Sequence, residues 1–227
     1  MKKTDKRYRR DLPKLPANMR SLPVSDKGYP IPFFVAVDAD GIPDFRIAGR
    51  GKFQAAVDGS LCWICGKPLH QTGHRSTVAG YYYVAGTMAA INNIAAEPAM
   101  HRECAEFSVK VCPFLARPNA KRREAGRDET AITHASAQLY NPGVSLVWQT
   151  RTFDIIRGDR GDLVKMGEPI RVQPWCKGRP AKPTEVAAAF EISFKKMMEI
   201  ASDEDDQALI DVVKQAAAGR LLLGLIG

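Results

Sequence analysis

Along most of the chain the apolar positions come in short runs bounded by glycine, proline and aspartate; only near the end do they take up helical spacing. Phe33 to Val37 and Asp44 to Ala48 read as two strands joined by a turn at Asp38-Ala39-Asp40-Gly41. Residues 51–58 read as one or two helical turns, Val78 to Ala85 as a strand, and the alanine-rich residues 88–96 as a short helix or irregular connection. Pro98 suits a first helical turn, so a helix is expected from there through His101 and Cys104 toward Cys112. After the Asn141-Pro142-Gly143 turn, Val144 to Ile156 is rich in β-branched and aromatic residues and predicts one long or bent strand. Residues 162–166 and 169–175, beyond a turn at Gly158 to Gly161, are expected to pair with each other as short strands. From Thr184 the apolar positions become helical, and Phe190, Phe194, Met197 and Met198 share a broad face suited to core or subunit packing. Ser202 to Asp206 predicts the cap of a second helix running to about Ala218. The closing run Leu221 to Ile226 is too short to cross a bilayer and suits core closure, an edge strand or a dimer contact.

Residues 11–32 break this pattern. Pro13, Pro16, Pro23, Pro30 and Pro32 withhold backbone donors and disfavour helix before them, which predicts an extended arm or irregular cover. Ahead of it, residues 1–10 hold six Lys or Arg and a single Asp, and lack the apolar run of a secretory signal. The chain of 227 residues is 45% hydrophobic and 26% charged, ordinary values for a folded protein. Its formal charge of +8 favours nucleic acid, anionic lipid or an acidic protein as partner. Lys2, Lys3, Arg7, Arg9 and Arg10, with Arg122 and Arg123 from a second basic stretch, are the candidate contacts to such a partner. With no long apolar span in the sequence, the expected location is the cytoplasm, that of a bacterial host if the chain is phage-encoded.

The strongest chemical signal is a pair of pairs: Cys62-Trp63-Ile64-Cys65-Gly66, and later His101-Arg102-Glu103-Cys104. Three thiolates and an imidazole are the donor set of a tetrahedral Zn²⁺ site. The five cysteines are odd in number and do not form a regular disulfide framework, which again favours metal-bound thiolates. Gly66 permits the left-handed turn that closes a knuckle, and Trp63 and Ile64 can shield it. A knuckle, a hairpin and then a helix whose first turns supply two ligands describe a treble clef, with His101 and Cys104 on one helical face. On a continuous helix Cys112 would stand about 12 Å beyond Cys104, too far to share an ion bound at about 2.3 Å. It is therefore expected to be a buried structural thiol, with an early helix end as its route to becoming an alternative ligand. Cys176, without a ligand neighbour in sequence, is assigned to packing.

Other motifs are weaker. Gly49-Arg50-Gly51-Lys52 is not a phosphate-binding P-loop, and the Asp38 turn lacks the calcium-loop pattern. No HExxH occurs, and the HxE at His101 precedes no PCxxC of the deaminase kind. His134 has no base, nucleophile or ligand spacing beside it. A divergent HNH-like treble-clef nuclease would have to use His70 or His74, since no histidine precedes Cys62 and neither of these stands in a recognisable Asp-His arrangement.

Leu61-Cys-Trp-Ile-Cys-Gly-Lys-Pro-Leu69, Glu97-Pro-Ala-Met-His-Arg-Glu-Cys-Ala105, Cys112-Pro-Phe-Leu115 and Gly178-Arg-Pro-Ala-Lys-Pro-Thr-Glu-Val186 resemble an uncharacterised family of bacterial, prophage and tailed-phage proteins. The likeness covers roughly residues 33–200, departs from the family at Lys182-Pro183, and implies a zinc site and a phage or prophage origin without implying an activity. The expected fold is α+β: a zinc-stabilised treble-clef-like core with antiparallel strands and C-terminal helices. The expected organisation is a basic, proline-rich arm over 1–32, a zinc-binding region over 33–116, and an α+β region over 117–227 packed on it. The expected role is that of an accessory protein binding DNA, RNA, or a host or phage protein; the alternatives are the nuclease and a structural or oligomeric interaction module.

Overall fold

A computed structural model describes residues 7–69, 80–117, 141, 143–158 and 161–225. It is a mixed α+β structure whose strands all pair antiparallel and whose last two elements are helices. No described helix is long and apolar enough to cross a membrane.

The first hairpin forms as the pattern predicts, with β1 (Val35–Val37) paired to β2 (Pro43–Ala48). Its turn is fixed by Asp38, whose Oδ1 accepts from the backbone N–H of Asp40 at 3.0 Å and Ile42 at 2.8 Å. That local bonding is what aspartate does at turns. Helix α1 (Lys52–Asp58) then leads into the Cys62 segment. The described part of the arm is an irregular cover with one short 3-10 turn at Ala17–Met19; Met19 is buried in the core around the knuckle, and Tyr8, Leu12, Leu15 and Leu22 pack against the same core.

Strand β3 (Tyr81–Gly86) is followed by α2 (Ala89–Asn92) and β4 (Ile94–Ala95), so the alanine-rich stretch is a single helical turn and then a bridge into another sheet. Asn93 reverses the chain between them at φ 57°, a left-handed conformation that asparagine tolerates. Helix α3 (Arg102–Val111) carries Cys104, Ala105, Phe107, Val109 and Val111 into the core, and α4 (Pro113–Ala116) follows after a break at Cys112. The break is proline chemistry: Pro113 cannot donate to the preceding turn and drives Cys112 to an extended ψ of 119°. Buried Asn141 ties down the end of α4, its Nδ2 donating to the carbonyls of Phe114 at 2.6 Å, Leu115 at 3.0 Å and Arg117 at 3.2 Å.

The segment read as one strand over 144–156 is two: β5 (Ser145–Thr150) and β6 (Phe153–Ile156). The expectation that 162–166 and 169–175 pair with each other is wrong. The strands there, β7 (Leu163–Met166) and β8 (Pro169–Cys176), pair instead with β6 and β5. The two arms thus make one antiparallel ribbon that bends between the Thr150↔Pro169 and Phe153↔Met166 pairs and passes from one sheet into another. The sheets are β3-β5-β8-β9, with β9 at Arg179–Pro180, and β4-β7-β6. At the bend Thr150 Oγ1 donates to the Glu168 carbonyl at 2.9 Å, and Trp148 Nε1 donates to the Gly167 carbonyl at 3.3 Å. Gly167 is required there, because a Cβ would lie 2.2 Å from Thr152 Oγ1. All six residues of β5 are buried, which makes it the central strand of the molecule.

Helix α5 (Pro183–Ser202) starts on Glu185, whose carboxylate accepts from the Lys182 N–H at 2.8 Å and takes a bidentate pair from Arg179 at 2.9 and 2.7 Å. That pairing with Arg179 holds the Glu185 carboxyl down to about 2. Helix α6 (Asp206–Leu222) is capped as expected by Asp205, which accepts from Ala208 N–H at 2.8 Å, and it runs one turn further than the sequence suggested. Leu221 and Leu222 therefore end a helix, while Leu223 and Leu225 pack on the core formed by α2, β5 and α5. Buried Cys176 lies in this same core, as assigned.

Gly219 is where α6 crosses α2: a Cβ there would lie 2.3 Å from the Ala90 carbonyl oxygen. In an exposed helix, Gly→Ala stabilises by about 1 kcal/mol. Here Gly219→Ala is expected to destabilise instead, by about 1–3 kcal/mol for overpacking. A lower urea midpoint than wild type is the check.

Candidate metal centre

Two short segments bring the ligands together. The first is the loop from Leu61 to Pro68, an isolated bridge whose ends are closed by Cys62 N–H donating to the Lys67 carbonyl at 2.8 Å. Inside it Gly66 N–H donates to the Cys62 carbonyl at 2.8 Å, with Gly66 at φ +69°. That turn points Cys62 and Cys65 inward, the one fully buried and the other nearly so. Trp63 and Ile64 are buried as the sequence reading expects, and Trp63 stacks on Phe34 at 5.0 Å between ring centroids. An added Cβ at Gly66 would also meet Phe33 Cδ2 at 2.8 Å. Gly66→Ala should therefore cost about 1–2 kcal/mol in backbone strain and weaken metal retention, read as faster loss of metal to a chelator.

The second segment corrects the sequence reading of His101. The helix does not include it: His101 is the residue before α3, extended at φ −67°, ψ 152°, so it shares no helical face with Cys104. Two neighbours hold that backbone extended. Trp63 N–H donates to the Ala99 carbonyl at 3.0 Å, and Met100 exchanges backbone bonds with Tyr82 of β3 at 2.8 and 3.3 Å. Cys104 then enters from the first turn of α3, fully buried.

The donor atoms of Cys62, Cys65, His101 and Cys104 all lie within 4.8 Å of one another. Tetrahedral bonds of about 2.0–2.3 Å imply donor separations of roughly 3.3–3.8 Å; the shortest here is at that distance, and small side-chain adjustments bring the wider ones to it. His101 Nδ1 faces Cys65 Sγ at 3.3 Å and Cys104 Sγ at 4.0 Å. Its other nitrogen, Nε2, lies 3.0 Å from the Pro68 carbonyl. A carbonyl can only accept, so Nε2 carries the proton and Nδ1 presents its lone pair to the cluster. His101 backbone N–H also donates to Cys62 Sγ at 3.4 Å, a bond that favours the thiolate.

Electrostatics show how closely the donors crowd one another. Hydrogen bonds from Cys104 and then Cys65 depress the Cys62 thiol, while the neighbouring Cys62 and Cys65 sulfurs push His101 up to about 10. The same two sulfurs, and then burial, push the Cys104 thiol up, opposite to Cys62. Three sulfurs and an imidazole packed this closely compete for protons, and a cation is what lets all of them present lone pairs together. The cluster can coordinate a metal ion with four protein donors.

Cys112 is not part of it. The helix does end early, at Val111, yet Cys112 stays outside the cluster and is half-buried rather than buried. Of the basic candidates, Arg7, Arg9 and Arg10 are exposed on the arm. Arg9 is already engaged: Nε donates to Asp11 at 2.9 Å, and Nη1 to Tyr29 Oη at 3.1 Å. Lys2, Lys3, Arg122, Arg123, His70, His74 and His134 lie outside the described residues. Sequence reasoning missed Pro68, whose carbonyl orients His101; a carbonyl ligand-support is carried by backbone shape and leaves no residue-type signal.

Compared with family models, curated proteins and solved structures, the chain has no match in any of the three.

Proposed function

We propose that this chain is a small zinc-stabilised binding protein that contacts nucleic acid through basic surfaces. The observation that carries the metal half is the convergence of four donors from segments 36 residues apart. Three Cys and one His suit Zn²⁺ over harder cations. Four protein donors leave no open position for an activated water, so the ion is structural: it pins the Cys62 loop to the start of α3. Loop, β3 and ligand-bearing helix then follow the order of a treble clef, with β3 finding its partner in β5 among the described residues. The domain division is read the same way: 33–116 is the metal-held region, and 117–227 completes the sheet on which it rests.

The binding half rests on the formal charge of +8 and on the arm, where exposed Arg7 and Arg10 flank Tyr8, a residue packed against the metal-side core. Anchored cations of this kind attract phosphates independently of sequence. The phage or prophage origin rests on the sequence resemblance alone. Fluorescence anisotropy with labelled duplex DNA, single-stranded DNA and RNA tests the reading. Binding that weakens steeply with salt, and weakens further on replacing Lys2, Lys3, Arg7 and Arg10 by glutamate, is expected. Absence of binding even at low salt would leave the protein-interaction reading in its place.

A further inference from the structure

Strands β8 and β9 are joined by two residues, Lys177 and Gly178, and both have positive φ, at 53° and 72°. A two-residue hairpin turn of that kind favours Asn-Gly, because glycine and asparagine enter the left-handed region with least strain. Lysine has no short polar side chain to bond locally, so Lys177 carries strain that asparagine would relieve. Strained positions of this kind cluster where a side chain is used. The turn lands on the end of α3: a Cβ added to Gly178 would lie 3.2 Å from the Lys110 carbonyl oxygen. Lys110 is itself held in place, its Nζ 5.1 Å from the centroid of the buried Trp175 ring. Two exposed lysines, one from a helix and one from a hairpin, are thus brought together. Arg171 extends the row. It is exposed and shares a face of β8 with Gln173 and Trp175, about 13 Å from Trp175 along the strand. None of these three cations forms an ion pair with another described residue. Arg179, beside the turn, differs in being held by Glu185 at 2.9 and 2.7 Å. Acids bound the row at its Arg171 end: Tyr82 sits in the field of Arg171 and also of Glu103 and Glu106, the last paired with Arg102 at 2.8 Å.

We propose that Lys110, Lys177 and Arg171 form a track for a nucleic-acid phosphate backbone on the face shared by α3 and β8, separate from the contacts of the arm. The track rests on the nucleic-acid reading above and says where on the folded part the phosphates lie. Three cations over about 13 Å match the rise of one DNA strand through about four phosphates, at roughly 3.4 Å each. Gathering like charges raises the energy of the free protein, and a phosphate chain relieves that repulsion. Contacts of this type fix position on the backbone and carry no base preference. Lys177 supplies the sharpest argument, since the residue that best suits its turn, asparagine, would remove the cation.

Fluorescence anisotropy of the full chain with labelled duplex and single-stranded DNA, titrated at several salt concentrations, tests this. A triple variant carrying Lys110→Gln, Arg171→Gln and Lys177→Asn should bind at least about tenfold more weakly. Its slope of log K against log salt should be shallower by about 2–3, at roughly 0.7–0.9 for each lost phosphate contact. Matching circular dichroism and metal content separate loss of the contact from loss of the fold. Lys177→Asn alone should raise the urea midpoint above wild type; a fall would remove the reason for assigning Lys177 to the track. A wild-type chain that binds no nucleic acid sinks the nucleic-acid reading and the track with it. Wild-type binding whose affinity and salt slope are unchanged in the triple variant overturns the track alone and leaves the arm as the contact.

Discussion

Cys104→Ser is expected to abolish tight metal binding and unfold the region around the Cys62 loop. Serine is a poor ligand for a borderline-soft ion, and Cys104 has no exposure through which water could replace the lost thiolate. The magnitude decides the outcome. A structural Zn²⁺ supplies roughly 10–16 kcal/mol of apparent binding energy at neutral pH, as much as the whole net stability of a domain, about 5–15 kcal/mol. The elements that carry the ligands are a loop without regular structure and the start of a ten-residue helix, joined in one core with the irregular arm and with residues of β3, β5 and β8. Metal content near zero after dialysis, with a non-cooperative thermal transition, is the expected result. Two controls separate the ligand set from its surroundings. His101→Cys should keep one ion per chain, since four cysteines are also a complete structural set. Cys112→Ser should leave metal content unchanged, because Cys112 lies outside the cluster.

The second large effect is expected at Trp148→Ala, with a loss of about 3–5 kcal/mol. Trp148 is fully buried at the middle of the central strand, opposite Tyr83 on one side and Val172 on the other. It also holds the bend, through its Nε1 donation to the Gly167 carbonyl. Trp148→Phe keeps much of the volume and loses that bond, so it should cost less, about 1–2 kcal/mol for the bond and its unsatisfied carbonyl. Urea denaturation of the three proteins reads the order directly. Equal losses for Ala and Phe would mean that the hydrogen bond, and not the volume, dominates at the bend.

The sequence was most legible where chemistry is local. The Asp38 turn, the left-handed Gly66 and the Asp205 cap are each decided by one residue and its near neighbours, and each is found as read. The ligand set was legible because few residue types bind such an ion, and their i, i+3 spacing marks them. What escaped was whatever distant backbone decides. His101 reads as helical by its spacing from Cys104, but Trp63 and Tyr82 pull the preceding residues into an extended segment. The β7–β8 pairing failed for a similar reason: proximity in sequence favours pairing across Gly167, whereas the long ribbon satisfies more backbone groups and buries β5 on both faces.

On the reading proposed above, one zinc ion with three sulfur donors and one nitrogen donor joins the Cys62 loop to the start of α3. X-ray absorption at the zinc edge, on protein purified without added metal, tests it most directly. One zinc per chain is expected, with three sulfurs at about 2.3 Å and one nitrogen at about 2.0–2.1 Å. A chain that holds no zinc and keeps its cooperative unfolding transition in the presence of a strong chelator, or a zinc shell dominated by oxygen, would contradict it.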